Sequence, residues 1–179
     1  IGVEALCRWQ HPKSGVIPPN DFICLAERGG LIKELTLWVI KEAMRQSRIW
    51  HKGGFEVSLA VNLSVRSLQN PQFLGKIKGL ISTWGITPSS LRFEITESII
   101  MQNPELAMEI ITELSAMGIR FSIDDFGTGY SSLSYLQRLP VDEIKIDKSF
   151  VINMETDKNS AMIVHSVIEL AHNLGLKVT

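Results

Sequence analysis

A parallel α/β barrel of the (β/α)8 kind is the fold class this sequence predicts, and three observations predict it. Short apolar runs alternate with longer amphipathic ones along the 179 residues. The repeat has about the length of one strand-helix unit, and parallel neighbours need such long return connections. Polar residues gather at the C-terminal ends of successive strand-like runs, where a barrel of this type builds its site. An open doubly wound sheet would often carry a glycine-rich turn after its first strand, and none is present.

Strand patterns predict extended segments at residues 2–9, 57–63, 91–96, 120–124, 143–146 and 176–178. Helical spacing lies between them. Residues 31–50 place Leu35, Trp38, Val39, Met44 and Ile49 at helical intervals. Segments 71–84 and 104–117 each open on a proline and are followed by Gly85 and Gly118. Residues 162–174 carry Ile163, Val167, Leu170, Ala171 and Leu174 on one face, closed by Gly175. No repeat or linker divides the chain, so a single domain over residues 1–179 is expected.

Composition narrows the function. Apolar residues make up 45% of the chain, enough to bury a core. Eighteen lysines and arginines against nineteen acids give a net charge of -1, which argues against a nucleic-acid polymer as ligand and leaves a small anion held through metals. Cys7 and Cys24 have neither metal-site spacing nor a disulfide framework, as in a reducing cytoplasm. There is no run of eighteen apolar residues and no signal peptide; the expectation is a soluble cytoplasmic domain, compatible with a membrane-anchored parent. Both ends read as cut, beginning on a strand-like run and stopping at Lys177-Val178-Thr179 as another strand starts.

The strand ends carry Glu4, Asn62, Glu94, Asp124 with Asp125, and Lys145 followed by Asp147. Several carboxylates in one barrel mouth raise one another's pKa and oppose folding unless cations intervene. Oxygen ligands without His or Cys favour hard ions, magnesium or manganese, with calcium a competitor. Each residue also has a plainer reading. Glu4 alone suits a solvated strand end, Asn62 a turn amide, and Asp124-Asp125 a helix cap. Glu94, between Phe93 and Ile95, points to the opposite face from theirs, and a carboxylate inside a barrel needs a partner. Lys145, between Ile144 and Ile146, must snorkel or pair. The plain readings weaken together, because each of these strands supplies such a residue.

The motifs Glu4-Ala5-Leu6 with Arg8-Trp9, Val61-Asn62, Phe93-Glu94-Ile95-Thr96-Glu97-Ser98, the run from Asp124-Asp125-Phe126-Gly127-Thr128-Gly129 through Tyr130-Ser131-Ser132-Leu133, and Ile144-Lys145-Ile146-Asp147 resemble, in order and spacing, the EAL-domain cyclic di-GMP phosphodiesterases. The resemblance covers essentially the whole chain. It implies a TIM-like barrel of the EAL type that lacks its first and last strands here. Glu4, Asn62, Glu94 and Asp124 then correspond to ligands of one metal, with Asp124 and Asp125 holding a second. Lys145 corresponds to the residue orienting the attacking water, and Arg8 to a contact with a substrate phosphate, its plainer reading being a surface ion pair. Asp147 corresponds to a supporting carboxylate near the lysine. Glu97 corresponds to the acid steadying the loop after Asp125, its plainer reading being an acid at a helix start.

The resemblance further implies two Mg2+ or Mn2+ ions per site, inhibition by Ca2+, and hydrolysis of cyclic di-GMP to linear 5′-pGpG. It implies a homodimer through the loop after Asp125 and an upstream sensor or diguanylate-cyclase-like domain. Two metals roughly 3.5–4 Å apart suit an in-line displacement with no covalent nucleophile. The family pattern continues into a glutamate-bearing segment near where Thr179 stands, so full turnover is expected to depend on that segment. The alternative in another class is a catalytically inactive receptor for cyclic di-GMP or a protein-interaction module. A third reading, a metal-dependent barrel hydrolase for a different phosphodiester, explains the carboxylates but not the long loop motif.

Overall fold

The computed structural model describes residues 2–129 and 133–179. They form two compact units, residues 1–92 and 93–179.

In the first unit, β1 (Gly2–Glu4) leads through a connecting loop into an antiparallel hairpin of β2 (Trp9–His11) and β3 (Gly15–Ile17). The single strand expected over 2–9 is therefore broken. Ladder bonding from β1 ends where Ala5 N donates to Ala60 O, and Leu6, apolar in sequence, is exposed. The hairpin turns at Gly15, whose φ of +71° suits a residue without Cβ, while His11 Nδ1 accepts from the amides of Lys13 and Ser14. Next come α1 (Pro19–Arg28) and α2 (Ile32–Lys52). Ile32, Thr36, Ile40, Ala43, Met44 and Ser47 form the buried stripe of α2. That spacing of three and four residues lays the stripe on β4 (Ser58–Asn62), which pairs parallel with β1. Below β4 lie α3 (Val65–Leu68) and α4 (Phe73–Trp84), which stops at left-handed Gly85.

The strand β5 (Leu91–Thr96) runs across the division between units, after a 3-10 turn at Pro88–Ser90. The second unit continues with α5 (Glu97–Gln102), α6 (Pro104–Ala116), β6 (Arg120–Phe126), α7 (Leu133–Leu136), β7 (Glu143–Ile146), α8 (Lys148–Asn153), α9 (Lys158–Asn173) and β8 (Lys177–Val178). Strands β6, β7 and β8 pair parallel in that order. The Phe93 and Phe121 rings lie 5.9 Å apart within a core that also holds Ile95, Ile123, Ile144 and Leu114. Burying each such side chain contributes about 1.5–3 kcal/mol. Asn103 caps α6 through its side chain, which accepts from the amide of Leu106.

Among the described residues no helix is long and apolar enough to cross a membrane, and both cysteines are free thiols.

Candidate functional site

Each unit gathers polar groups at its strand ends, and the two do so differently. In the first, the parallel pairing of β1 with β4 sets Glu4 opposite Ala60, two residues before Asn62. The Asn62 Nδ2 donates to Glu4 Oε1 at 2.7 Å, and both side chains stand open to solvent. Arg8, past the end of β1, donates to the Cys7 carbonyl at 3.0 Å and makes no ion pair among the described residues. The surface ion pair that was its plainer reading is therefore not formed among the described residues. Glu4 and Arg8 share a cavity wall with Trp38, Glu42, Arg45 and Trp50. Burial raises the Cys7 thiol above its ordinary value, against the smaller opposing effect of Arg8.

In the second unit the groups are packed. Glu94 is only 4% exposed, and Lys145 Nζ donates to its Oε2 at 2.9 Å. The same ammonium stands 3.4 Å from Asp124 Oδ2. This answers both sequence-level questions: Glu94 has its interior partner, and Lys145 pairs rather than snorkels. One positive charge thus faces two carboxylates.

Asp124 and Asp125 do not cap a helix; they close β6. The β6–β7 register passes from Ile123↔Ile144 to Phe126↔Ile146, so β6 carries one extra residue in a bulge. Asp125 occupies that bulge with φ +52°, a left-handed conformation that aspartate tolerates at a cost of about 1–2 kcal/mol. A bulge redirects side chains, and here it sends two consecutive carboxylates to different partners. Asp124 faces Lys145, while Asp125 lies near Asp147. Partial enclosure raises the pKa of Asp125 first, and the nearby charges of Asp124 and Asp147 raise it further, against the pull of Lys145. Asp147 is lowered instead, chiefly by Ser149, whose hydroxyl and amide donate to it at the start of α8. The supporting carboxylate expected at Asp147 is also a helix cap.

Glu97 is the first residue of α5 and is buried at 6% exposure. Among the described residues neither of its carboxylate oxygens finds a hydrogen-bond partner. A Cβ on Gly129 would lie 3.1 Å from Glu97 Oε1, so the acid lies against the loop after Asp125 at that residue. The rest of that loop, Tyr130 to Ser132, lies outside the described residues, and with it part of the expected dimer contact. Sequence reasoning passed over Phe150, whose ring abuts Gly127. The available signal was an aromatic residue three positions beyond Asp147, in a segment too short for helical periodicity.

The donors suit a hard cation: they are oxygens, two of them converge on one ammonium, and the Asp125–Asp147 pair concentrates negative charge. Among the described residues no three His, Cys, Asp or Glu side chains gather as a metal cluster.

A family profile described as EAL domain matches residues 1–179. The bifunctional diguanylate cyclase/cyclic di-GMP phosphodiesterase MucR of Pseudomonas aeruginosa is 44% identical over 179 residues, covering 99% of this chain and 26% of that protein. Cyclic di-GMP phosphodiesterase PdeR of Escherichia coli is 40% identical over 176 residues, covering 98% and 27%. The chain thus spans about a quarter of the length of these relatives. Among solved structures, the PaMucR phosphodiesterase in complex with c-di-GMP superposes with a TM-score of 0.96 at 44% identity, over 99% of this chain and 72% of that one. The FimX EAL domain from Pseudomonas aeruginosa bound to c-di-GMP gives 0.88 at 26% identity, over 99% and 72%. These neighbours bear out the expected fold class, a partial TIM-like α/β architecture.

Proposed function

We propose, from the premise that this chain belongs to the EAL domain family, that it is the catalytic part of a metal-dependent phosphodiesterase that opens cyclic di-GMP to linear 5′-pGpG. The observation that carries this reading is Lys145 held between Glu94 and Asp124, at 2.9 and 3.4 Å, in a chain whose named relatives are cyclic di-GMP phosphodiesterases.

Glu4, Asn62, Glu94 and Asp124 would hold one divalent ion, and Asp124 with Asp125 a second, both Mg2+ or Mn2+. When bound, such ions acidify water and neutralise charge on the phosphodiester. The chain's own residues do the rest. Asn62 orients the Glu4 carboxylate by donating to it. Lys145 donates to the buried Glu94 and so fixes the direction of that carboxylate. An ammonium carries three N–H donors, so Lys145 can hold a nucleophile's oxygen while that oxygen loses its proton. Arg8, bound only to a main-chain carbonyl, has donors left for a phosphate. Asp147 steadies Asp125 from the start of α8. Glu97 supports the loop after Asp125 through Gly129. That loop supports a homodimer in this reading, and an upstream sensor or cyclase-like domain would supply regulation.

The test is incubation of the protein with cyclic di-GMP and Mg2+ or Mn2+, with chromatography for 5′-pGpG. Linear product that disappears in Glu4→Ala and is suppressed by Ca2+ is the expected result. Tight binding of the dinucleotide without turnover under either metal would replace the enzyme with a receptor.

A further inference from the structure

Asp125 can serve a site only if the backbone presents it at a fixed angle, and its backbone is left-handed. Three successive residues there are held by the beginning of α8. The Asp147 carboxyl meets the Asp125 carboxyl. The Asp147 amide donates to the Phe126 carbonyl at 3.4 Å. The Phe150 ring lies so close to Gly127 that a Cβ there would stand 3.1 Å from Cε2. Gly127 itself has φ +99°, a conformation open to glycine, so the turn needs both the missing side chain and something flat to close against. The Thr128 hydroxyl completes the turn by donating to the Asp125 carbonyl at 2.9 Å.

We propose that Phe150 is a positioning residue for Asp125, its ring closing on Gly127 to hold the turn that follows the β6 bulge. The division of labour follows from what each contact fixes. Proximity of the Asp147 carboxyl acts on the end of a side chain that still has two rotatable bonds. Packing against Gly127 fixes the main chain two residues from Asp125, and so the direction from which its Cβ leaves. The neighbouring Val151 and Ile152 are 46% and 72% exposed, so α8 commits Phe150, not those two residues, to this contact. Its catalytic consequence rests on the reading of Asp125 as a metal-facing carboxylate; the backbone role does not.

The experiment compares the protein with Phe150→Ala, Phe150→Leu and Phe150→Tyr, reading amide hydrogen exchange at residues 126–129 without metal and Mn2+ binding by electron paramagnetic resonance. Leu keeps the apolar bulk if Ala unfolds the protein, and Tyr restores the flat ring. The expected result is exchange at 126–129 faster by about tenfold in Ala and Leu, with α9 unchanged and Tyr near the parent. Mn2+ affinity should fall about 10–100-fold in the same two variants, and kcat should fall with KM little moved. Unchanged exchange at 126–129, or acceleration spread equally through α9, overturns the proposal. If the parent protein binds no Mn2+ while exchange responds as expected, the positioning role stands and the metal reading falls.

Discussion

The first unit leaves its polar strand ends in solvent, whereas the second buries Glu94 and Glu97 and sets one ammonium against two carboxylates. Glu4 and Asn62 touch through one hydrogen bond at an exposed rim. Glu94 is 4% exposed and accepts from Lys145, and Glu97 is buried with neither carboxylate oxygen hydrogen bonded among the described residues. Exposed groups cost folding little and can be changed with little effect on stability. Buried ones are coupled to stability, so the second unit's site is partly built against the fold. Function and stability should therefore separate in the first unit and collide in the second.

The largest effect is expected from Lys145→Met. This removes the ammonium from beside a buried carboxylate while keeping the length of the stem. Breaking a buried ion pair costs about 3–5 kcal/mol, and the partial exposure of Lys145 places this one at the lower end. Urea unfolding should show a loss of about 3 kcal/mol, with hydrolysis abolished. A loss within about 0.5 kcal/mol, the range of surface changes, would mean that Glu94 is neutral or rescued by water.

Glu97→Met should move stability the other way. The side chain is nearly isosteric, and an apolar group replaces a buried carboxylate whose oxygens find no hydrogen bond. A gain of about 1 kcal/mol is expected, together with lower phosphodiesterase activity as the loop at Gly129 loses its acid. Destabilisation of similar size would show that the carboxylate is paired in solution.

Part of this contrast was legible in the sequence. Residues 91–96 and 143–146 were bounded correctly, because each is a short apolar run interrupted by a polar residue facing a different environment. The partners of Glu94 and Lys145 were anticipated as a need but not as a pair, since residues 51 positions apart meet only through parallel pairing. The hairpin at Trp9–His11 and Gly15–Ile17 escaped because three-residue strands have no measurable period. Helix α1 was hidden by Pro18-Pro19, which reads as a breaker although proline at the first helical position is favourable. The bulge at Asp125 left no pattern to find. An aspartate pair before a glycine-rich turn looks the same whether it caps a helix or bends a strand.

Glu4→Gln tests the first unit's side of the contrast. Both partners remain able to hydrogen bond at the exposed rim, so stability should stay within about 0.5 kcal/mol. Activity should nevertheless fall at least about 100-fold, because the neutral amide brings no negative charge to the cation. Equal loss of stability and activity would mean that the rim is structural.

The smallest effect belongs to Asp157, an exposed acid of the second unit that stabilises without being buried. It caps α9, accepting from Ser160 Oγ at 2.6 Å and from the amides of Ser160 and Asn159 at 2.9 and 3.2 Å. The Ser160 hydroxyl above all, then these amides, holds its carboxyl below the usual 3.8. A carboxyl lowered in the folded state binds fewer protons there than in the unfolded chain, so stability rises with pH through that window. The contribution is complete above pH 3.8 and disappears as pH falls through the lower folded value. Asp157→Asn keeps an oxygen at the cap but cannot ionise. Its melting temperature should therefore lie below that of the parent at pH 6, and the gap should narrow at pH 3. Asp147, lowered by its own cap of α8, titrates identically in both proteins and cancels from the difference. A gap that stays constant between the two pH values would mean that the Asp157 charge contributes nothing, and that the exposed and buried acids of the second unit differ in more than burial.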